Sequence, residues 1–228
     1  MHPPKLLHNI LLKHNNRFLV LLISLVIYFA SFPIVENLTI AKHLLNLFYL
    51  LIIFSAVFSI SNTKKPLLIS SSLLLFTLIF RWLHYFYQLD TFYLFELSSA
   101  CLFWLYIATH ILRFIIHQQH INAELVYAAI AVYFVIGLIW TSTYQIIELN
   151  NPHSFSIVNE IATKKQELFF QMWYFSMVTL TTLGYGDITP TSMTARSFVI
   201  LEAMTGQFYL AILIASLIGR RVAQKDSQ

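Results

Sequence analysis

Long apolar runs separated by short polar breaks dominate this chain, in place of the one-sided periodicity of a helix lying on a soluble core. The runs cover roughly 17–35, 43–60, 67–83, 92–116, 122–147 and 195–218. Each approaches the ~20 residues that a helix needs to cross a bilayer. The breaks carry turn and charge signals: Lys42-His43, Ser61-Asn62-Thr63-Lys64-Lys65-Pro66, His117-Gln118-Gln119-His120, and a polar segment 148–166 containing Asn150-Asn151-Pro152. Between the fifth and sixth runs lies a shorter amphipathic stretch, Glu167 to Leu180. At 1.5 Å per residue it spans only ~20 Å, too little to cross. The pattern therefore predicts an all-α membrane protein with six crossing helices and one half-helix that enters and returns.

Composition agrees with that reading. The 228 residues are 58% hydrophobic and 11% charged, against about 25% charged in soluble domains. No sizeable soluble domain fits. The net charge of +4 resides in short loops and tails, which marks topology and not nucleic-acid binding. Alternating the six spans puts Lys5, Lys13, Arg17, Lys64, Lys65, Arg113, Arg220, Arg221 and Lys225 on one side, and Lys42, Arg81, Lys164, Lys165 and Arg196 on the other. The richer side is cytoplasmic, so both termini are expected inside and the 148–194 region opens outward. The first run is too long, and its end at Ser31-Phe32-Pro33-Ile34 too poor a cleavage site, for a signal peptide. The single cysteine, Cys101, permits no intrachain disulfide and no cysteine-rich zinc site. It reads as a small buried hydrophobe. Asn37-Leu38-Thr39 matches a glycosylation acceptor by chance.

The segment that follows the half-helix is Thr181-Thr182-Leu183-Gly184-Tyr185-Gly186-Asp187. Two glycines one residue apart free the backbone for angles that side chains oppose. A segment of this kind can turn its carbonyls to one side, and copies around an axis would stack rings of oxygens able to replace the water of a dehydrated cation. Gly-Tyr-Gly occurs once, so a closed ring requires several chains. Non-helical backbone at membrane depth is tolerated where it is buried in protein or lines a wet cavity. The C-terminal, negative end of the half-helix would point at the cation, and the acidic Glu167 suits its positive start.

Thr182-Leu183-Gly184-Tyr185-Gly186 resembles the T-V-G-Y-G filter of the potassium-channel family, over about residues 122–221. The resemblance implies a homotetramer in a lipid bilayer, of the kind found in a bacterial inner membrane, conducting potassium passively and without enzymatic activity or bound organic cofactor. By position it assigns the K+ ligands to the carbonyls of Thr182, Leu183, Gly184 and Tyr185 with the Thr182 hydroxyl innermost, while Gly186 completes the filter and Asp187 stands at the outer mouth. Leu183 replaces the usual valine, but its carbonyl still serves. Trp173, Tyr174 and Phe175 would form an aromatic cuff around the filter. Val178 stands where some members carry a glutamate that pairs with the mouth aspartate.

Two features of the last span invite a role. Glu202 lies inside it, and intramembrane carboxylates are paired or functional. Pairing behind the filter with Thr179 or Thr181 and a direct part in conduction both remain open. Gly206 lies near mid-helix, where glycine costs about 1 kcal/mol relative to alanine. It is either a gating hinge or a site of close helix packing.

The domain organisation expected is a tail at 1–16, a four-helix voltage-sensor-like domain at 17–120, a pore domain at 121–221 and a tail at 222–228. The fourth span carries Arg113 and the third Arg81. Steep voltage gating draws on 3–4 charges per subunit, so no effective voltage sensor is expected, and a gating stimulus would come from a partner, lipid or the tails. The alternatives are a non-selective cation channel, a non-conducting structural subunit, or a transmembrane haem electron carrier using histidines such as His84 and His110.

Overall fold

The computed structural model describes residues 16–35, 41–60, 64–157 and 165–226. Helices α1 (Arg17–Val35), α2 (Ala41–Ser59), α3 (Lys64–Tyr87), α4 (Asp90–His117) and α5 (Ala123–Asn150) follow one another. Strand β1 (Phe155–Ile157), helix α6 (Lys165–Leu180), strand β2 (Ile188–Pro190) and helix α7 (Met193–Asp226) complete the chain. Among the described residues, α3, α4, α5 and the 193–222 part of α7 are long and apolar enough to cross a membrane. The described apolar parts of α1, α2 and α6 are shorter. The chance match to a glycosylation acceptor at 37–39 lies outside the described residues.

Local chemistry explains the boundaries. The Asn122 Oδ1 accepts the Leu125 amide at 2.8 Å and the Ser192 Oγ accepts the Ala195 amide at 3.1 Å, capping α5 and α7. Helix α3 starts before the expected residue 67, because Pro66 sits in its first turn, where its missing N–H costs nothing. It ends at Gln88, whose φ of 53° takes the chain out of the helix after its amide has bonded the His84 carbonyl. Asp90 then sits in the first turn of α4, where a carboxylate suits the positive helix end. Helix α7 runs beyond the expected end near 218 and continues to Asp226, passing Arg220 and Arg221, whose positive charges suit the C-terminal part of a helix.

The fold is not wholly helical. Strands β1 and β2 pair antiparallel, with Phe155 opposite Pro190 and Ile157 opposite Ile188. The Glu148 carboxylate fixes the turn before β1 by accepting the amides of His153 (2.7 Å) and Phe155 (3.1 Å). Buried Phe155 and Ile188 supply an apolar anchor. A three-residue strand leaves too short an alternation to stand out from the polar 148–166 stretch.

The chain divides into two compact units, one of 1–71 with 109–132 and the other of 72–108 with 133–228. In the first, α1 packs on α2, with the Ser24 and Ser55 hydroxyls 2.7 Å apart. The Arg17 guanidinium lies 3.3 Å from the Glu124 carboxylate and over the Phe18 and Phe114 rings. In the second, Tyr93 donates to the Gln145 Oε1 at 2.8 Å, and α6 packs on α7. A core of Tyr144, Phe155, Met172, Phe175, Ile188 and Ala195 joins α5, α6, α7 and both strands.

Candidate pore segment

Helix α6 ends in a capping arrangement that launches the segment after it. The Leu183 amide bonds the Val178 carbonyl at 2.9 Å, and the Thr182 amide bonds the Thr179 carbonyl at 2.9 Å. These are the two bonds of a Schellman cap, which needs a left-handed residue at the position of Thr182. Its φ is 60°. Glycine is usual there; a β-branched residue in this region is an outlier that costs on the order of 1–3 kcal/mol. The cap thus places the strain on a threonine.

From Thr182 onward the sign of φ alternates. Thr182 (60°), Gly184 (59°) and Gly186 (81°) are positive, while Leu183 and Tyr185 between them are not. Alternation of left- and right-handed residues turns successive amides to one side of the chain and the carbonyls to the other. The segment 181–187 is exposed along its whole length, Leu183 at 56% and Tyr185 at 66%. Two apolar or aromatic side chains and a row of backbone groups therefore lack a cover among the described residues. β2 begins one residue after Asp187, so the segment is held at both ends, by the α6 cap and by the β1–β2 pair.

Of the residues expected to support the segment, Tyr174 and Asp187 meet. The Tyr174 hydroxyl donates to Asp187 Oδ2 at 2.6 Å, and Asp187 Oδ1 also accepts the Ile188 amide at 3.0 Å. Asp187 thus has a phenolic partner one turn before Val178, the position considered from the sequence. Phe175 is buried between Tyr144 (5.3 Å between centroids) and Phe155 (5.4 Å), so it packs toward α5 and β1 and not around the segment 181–187. Trp173 lies half-buried beside Phe170. The three aromatics do not form one cuff within the chain, because neighbours along a helix point in different directions. Thr181 donates to the Met177 carbonyl at 2.7 Å, and the Thr179 carbonyl takes part in the cap. The side chain of Glu167, expected to favour the helix start, lies outside the described side chains.

Glu202 has partners other than the expected Thr179 and Thr181. It is fully buried, accepts from the Tyr144 hydroxyl at Oε2, and has the Ser176 Oγ 2.5 Å from Oε1. Ser176 Oγ also lies 3.0 Å from the Gly137 carbonyl. Four residues later Gly206 is buried against the end of α6. A Cβ added there would fall 2.2 Å from the Leu180 carbonyl oxygen and 3.0 Å from its carbon. The same oxygen accepts the Tyr133 hydroxyl at 2.9 Å, and Tyr133 lies against Tyr209 with ring centroids 5.7 Å apart. Of the two readings of Gly206, close packing has a specific contact behind it.

The sequence reading missed Tyr133, Gly137, Tyr144, Ser176 and Tyr209. A helical signal was present. Tyr133, Gly137 and Tyr144 are spaced by four and seven residues, as are Glu202, Gly206 and Tyr209 by four and three, so each trio shares one helix face. Polar tips and a glycine on matching faces of two apolar helices mark a close, hydrogen-bonded contact.

The family comparison falls on this region. Residues 124–222 match the family model described as "Ion channel" (Ion_trans_2). The chain is 29% identical over 69 residues to the two-pore potassium channel 4 of Arabidopsis thaliana, covering 30% of this chain and 24% of that protein. It is 40% identical over 45 residues to the two-pore potassium channel 3 of the same plant, covering 20% of this chain and 10% of that protein. It therefore spans a quarter or less of the length of these curated relatives. No solved structure matches significantly. The chain is an integral membrane protein whose 124–222 region is similar to ion channels, and part of the chain is similar to potassium channels.

Proposed function

We propose that this protein is the subunit of a potassium-selective channel, conducting K+ passively through a pore shared by four copies in a lipid bilayer. The observation that carries the reading is the alternation of φ along Thr182-Leu183-Gly184-Tyr185-Gly186, on an exposed segment launched by the C-terminal cap of a half-helix. With its carbonyls on one side, the segment can replace the hydration shell of a cation. The ligands are the carbonyls of Thr182, Leu183, Gly184 and Tyr185 with the Thr182 hydroxyl. The C-terminus of α6 adds the negative end of a helix dipole.

One chain supplies one such segment, so a ring needs further copies. The exposed Leu183 and Tyr185 side chains fit a cover provided by neighbouring subunits. The layout is six crossing helices with α6 re-entrant and both termini cytoplasmic, and the first four helices carry no arginine ladder. The match to an ion-channel family model over 124–222 and the similarity to proteins named potassium channels support the class of transport.

Rubidium and sodium uptake into liposomes containing the purified protein, beside Gly184→Ala, tests this. Rubidium uptake without sodium uptake, lost in the variant, is the expected result. Equal uptake of both ions would make it a non-selective cation channel, and absence of uptake across a range of imposed voltages would remove the conducting role.

A further inference from the structure

The polar contacts around Glu202 hold more acceptors than an ionised side chain can serve. Ser176 Oγ stands 2.5 Å from Glu202 Oε1 and 3.0 Å from the Gly137 carbonyl oxygen. A serine hydroxyl carries one proton, and a carbonyl and a carboxylate are acceptors only. If Glu202 were ionised, Ser176 would satisfy one of these oxygens and leave the other contact without a proton. Tyr144 donates to Glu202 Oε2, so its proton is already engaged.

One proton on Glu202 Oε1 completes the set. The acid then donates to Ser176 Oγ, Ser176 donates to the Gly137 carbonyl, and Tyr144 donates to Oε2. Each oxygen in the chain has a partner, and each hydroxyl proton is used once.

The surroundings agree. Glu202 is fully buried within an apolar helix, where an isolated carboxylate is costly unless a cation or several donors compensate. The ion pairs Arg17–Glu124 and Arg81–Glu96 do not involve Glu202. Among the described residues, the phenols Tyr144 and Tyr133 of α5 interact with it.

We propose that Glu202 is held as a neutral carboxylic acid and acts as a positioning residue, donating through Ser176 to Gly137 and so tying α7, α6 and α5 together behind the segment 181–187. The Gly137 carbonyl belongs to the helical backbone: it also accepts the Thr141 hydroxyl at 2.7 Å. The chain of bonds therefore ends on a rigid element, four residues before Thr141 and seven before Tyr144. Glu202 and Gly206 sit one turn apart on the same face of α7. One fixes Ser176 in the last third of α6 and the other abuts Leu180 at its end. A neutral acid also places no fixed negative charge behind the filter. What is being positioned rests on the pore reading above; the protonation state does not.

Infrared difference spectra of the full-length protein in lipid, wild type against Glu202→Gln, test the proposal at neutral pH. The expected result is the C=O stretch of a protonated carboxylic acid in wild type, shifted on exchange into D2O and missing from the variant. Carboxylate stretches in its place would overturn the proposal. Gln keeps the donor and the acceptor, since its amide can donate to Ser176 and its carbonyl can accept from Tyr144. Glu202→Gln is therefore expected to retain rubidium flux and selectivity, while Glu202→Ala loses at least about tenfold, the scale of buried hydrogen-bond partners left unsatisfied. A Gln variant as impaired as the Ala variant would overturn the positioning role, and the Gln variant carries the test if the Ala variant does not assemble. Absence of flux in wild type would count against the pore reading, with the infrared band still deciding the state of the acid.

Discussion

Gly206→Ala separates two mechanisms by the sign of a stability change. In an otherwise unconstrained helix the substitution stabilises by about 1 kcal/mol, because alanine loses less backbone entropy. A pure hinge would therefore become stiffer and more stable. The contact at Gly206 predicts the reverse. The new methyl carbon would lie 2.2 Å from the Leu180 oxygen and 3.2 Å from its Cα, against an ordinary separation of about 3.5 Å or more. The atoms must part by more than about 1 Å, and both belong to helical backbone, so no flexible side chain can absorb the move. Overpacking of this kind costs about 1–3 kcal/mol, and the Tyr133 bond to the same oxygen is worth about another 1 kcal/mol. Set against the propensity gain, the net destabilisation is about 1–3 kcal/mol. Leu180 lies two residues before Thr182, so the shift also reaches the base of the filter segment. Thermal unfolding of the purified protein reads the sign, and rubidium against sodium flux reads the filter. Gly219→Ala is the control, since nothing lies within 4 Å of a Cβ there. A Gly206→Ala protein as stable as wild type or more so, with unchanged selectivity, would refute the packing account and restore the hinge.

Three further outcomes follow from named contacts. Tyr174→Phe removes a 2.6 Å bond to the Asp187 carboxylate, a charge-assisted bond worth about 1.5–3 kcal/mol; sustained K+ current should decline faster than in wild type, and an unchanged time course would show that the bond does not hold the outer mouth. Arg17→Met leaves Glu124 without its buried partner (side chains 9% and 11% exposed) and should cost about 3–5 kcal/mol in thermal or denaturant unfolding, whereas Arg17→Met with Glu124→Leu should recover most of that loss; equal damage in both variants would contradict an ion-pair origin. Arg113 is the one lysine or arginine within α4, and one charge crossing the full field contributes ~2.3 kcal/mol per 100 mV, so the conductance–voltage relation should be shallow and a steep sigmoid would contradict the absence of a sensor.

Much of this architecture is legible in the sequence because membrane helices obey a one-dimensional rule. The apolar runs place α3, α4, α5 and the start of α7 within a few residues, and the paired glycines mark the segment where φ turns positive. Helix ends were less legible, since Gln88 takes a left-handed conformation that its side chain does not advertise. The β1–β2 pair escaped because three-residue strands depend on tertiary support from Glu148, Phe155 and Ile188. Side-chain partners escaped for a different reason. Glu202 was marked as a group needing a partner, but the choice among nearby hydroxyls depends on how α5, α6 and α7 rotate against one another. Of the expected Thr179 and Thr181, the Thr181 hydroxyl is engaged by the Met177 carbonyl of its own helix. Tyr144 and Ser176, on faces turned inward, take their place.

The central claim is that the segment from Thr182 to Gly186 selects potassium. The reversal potential in planar bilayers, with potassium on one side and sodium on the other, tests it most directly. The account predicts a current that reverses far toward the potassium equilibrium potential, with Gly184→Ala abolishing that displacement or the current itself. A reversal near zero in the wild-type protein would contradict it.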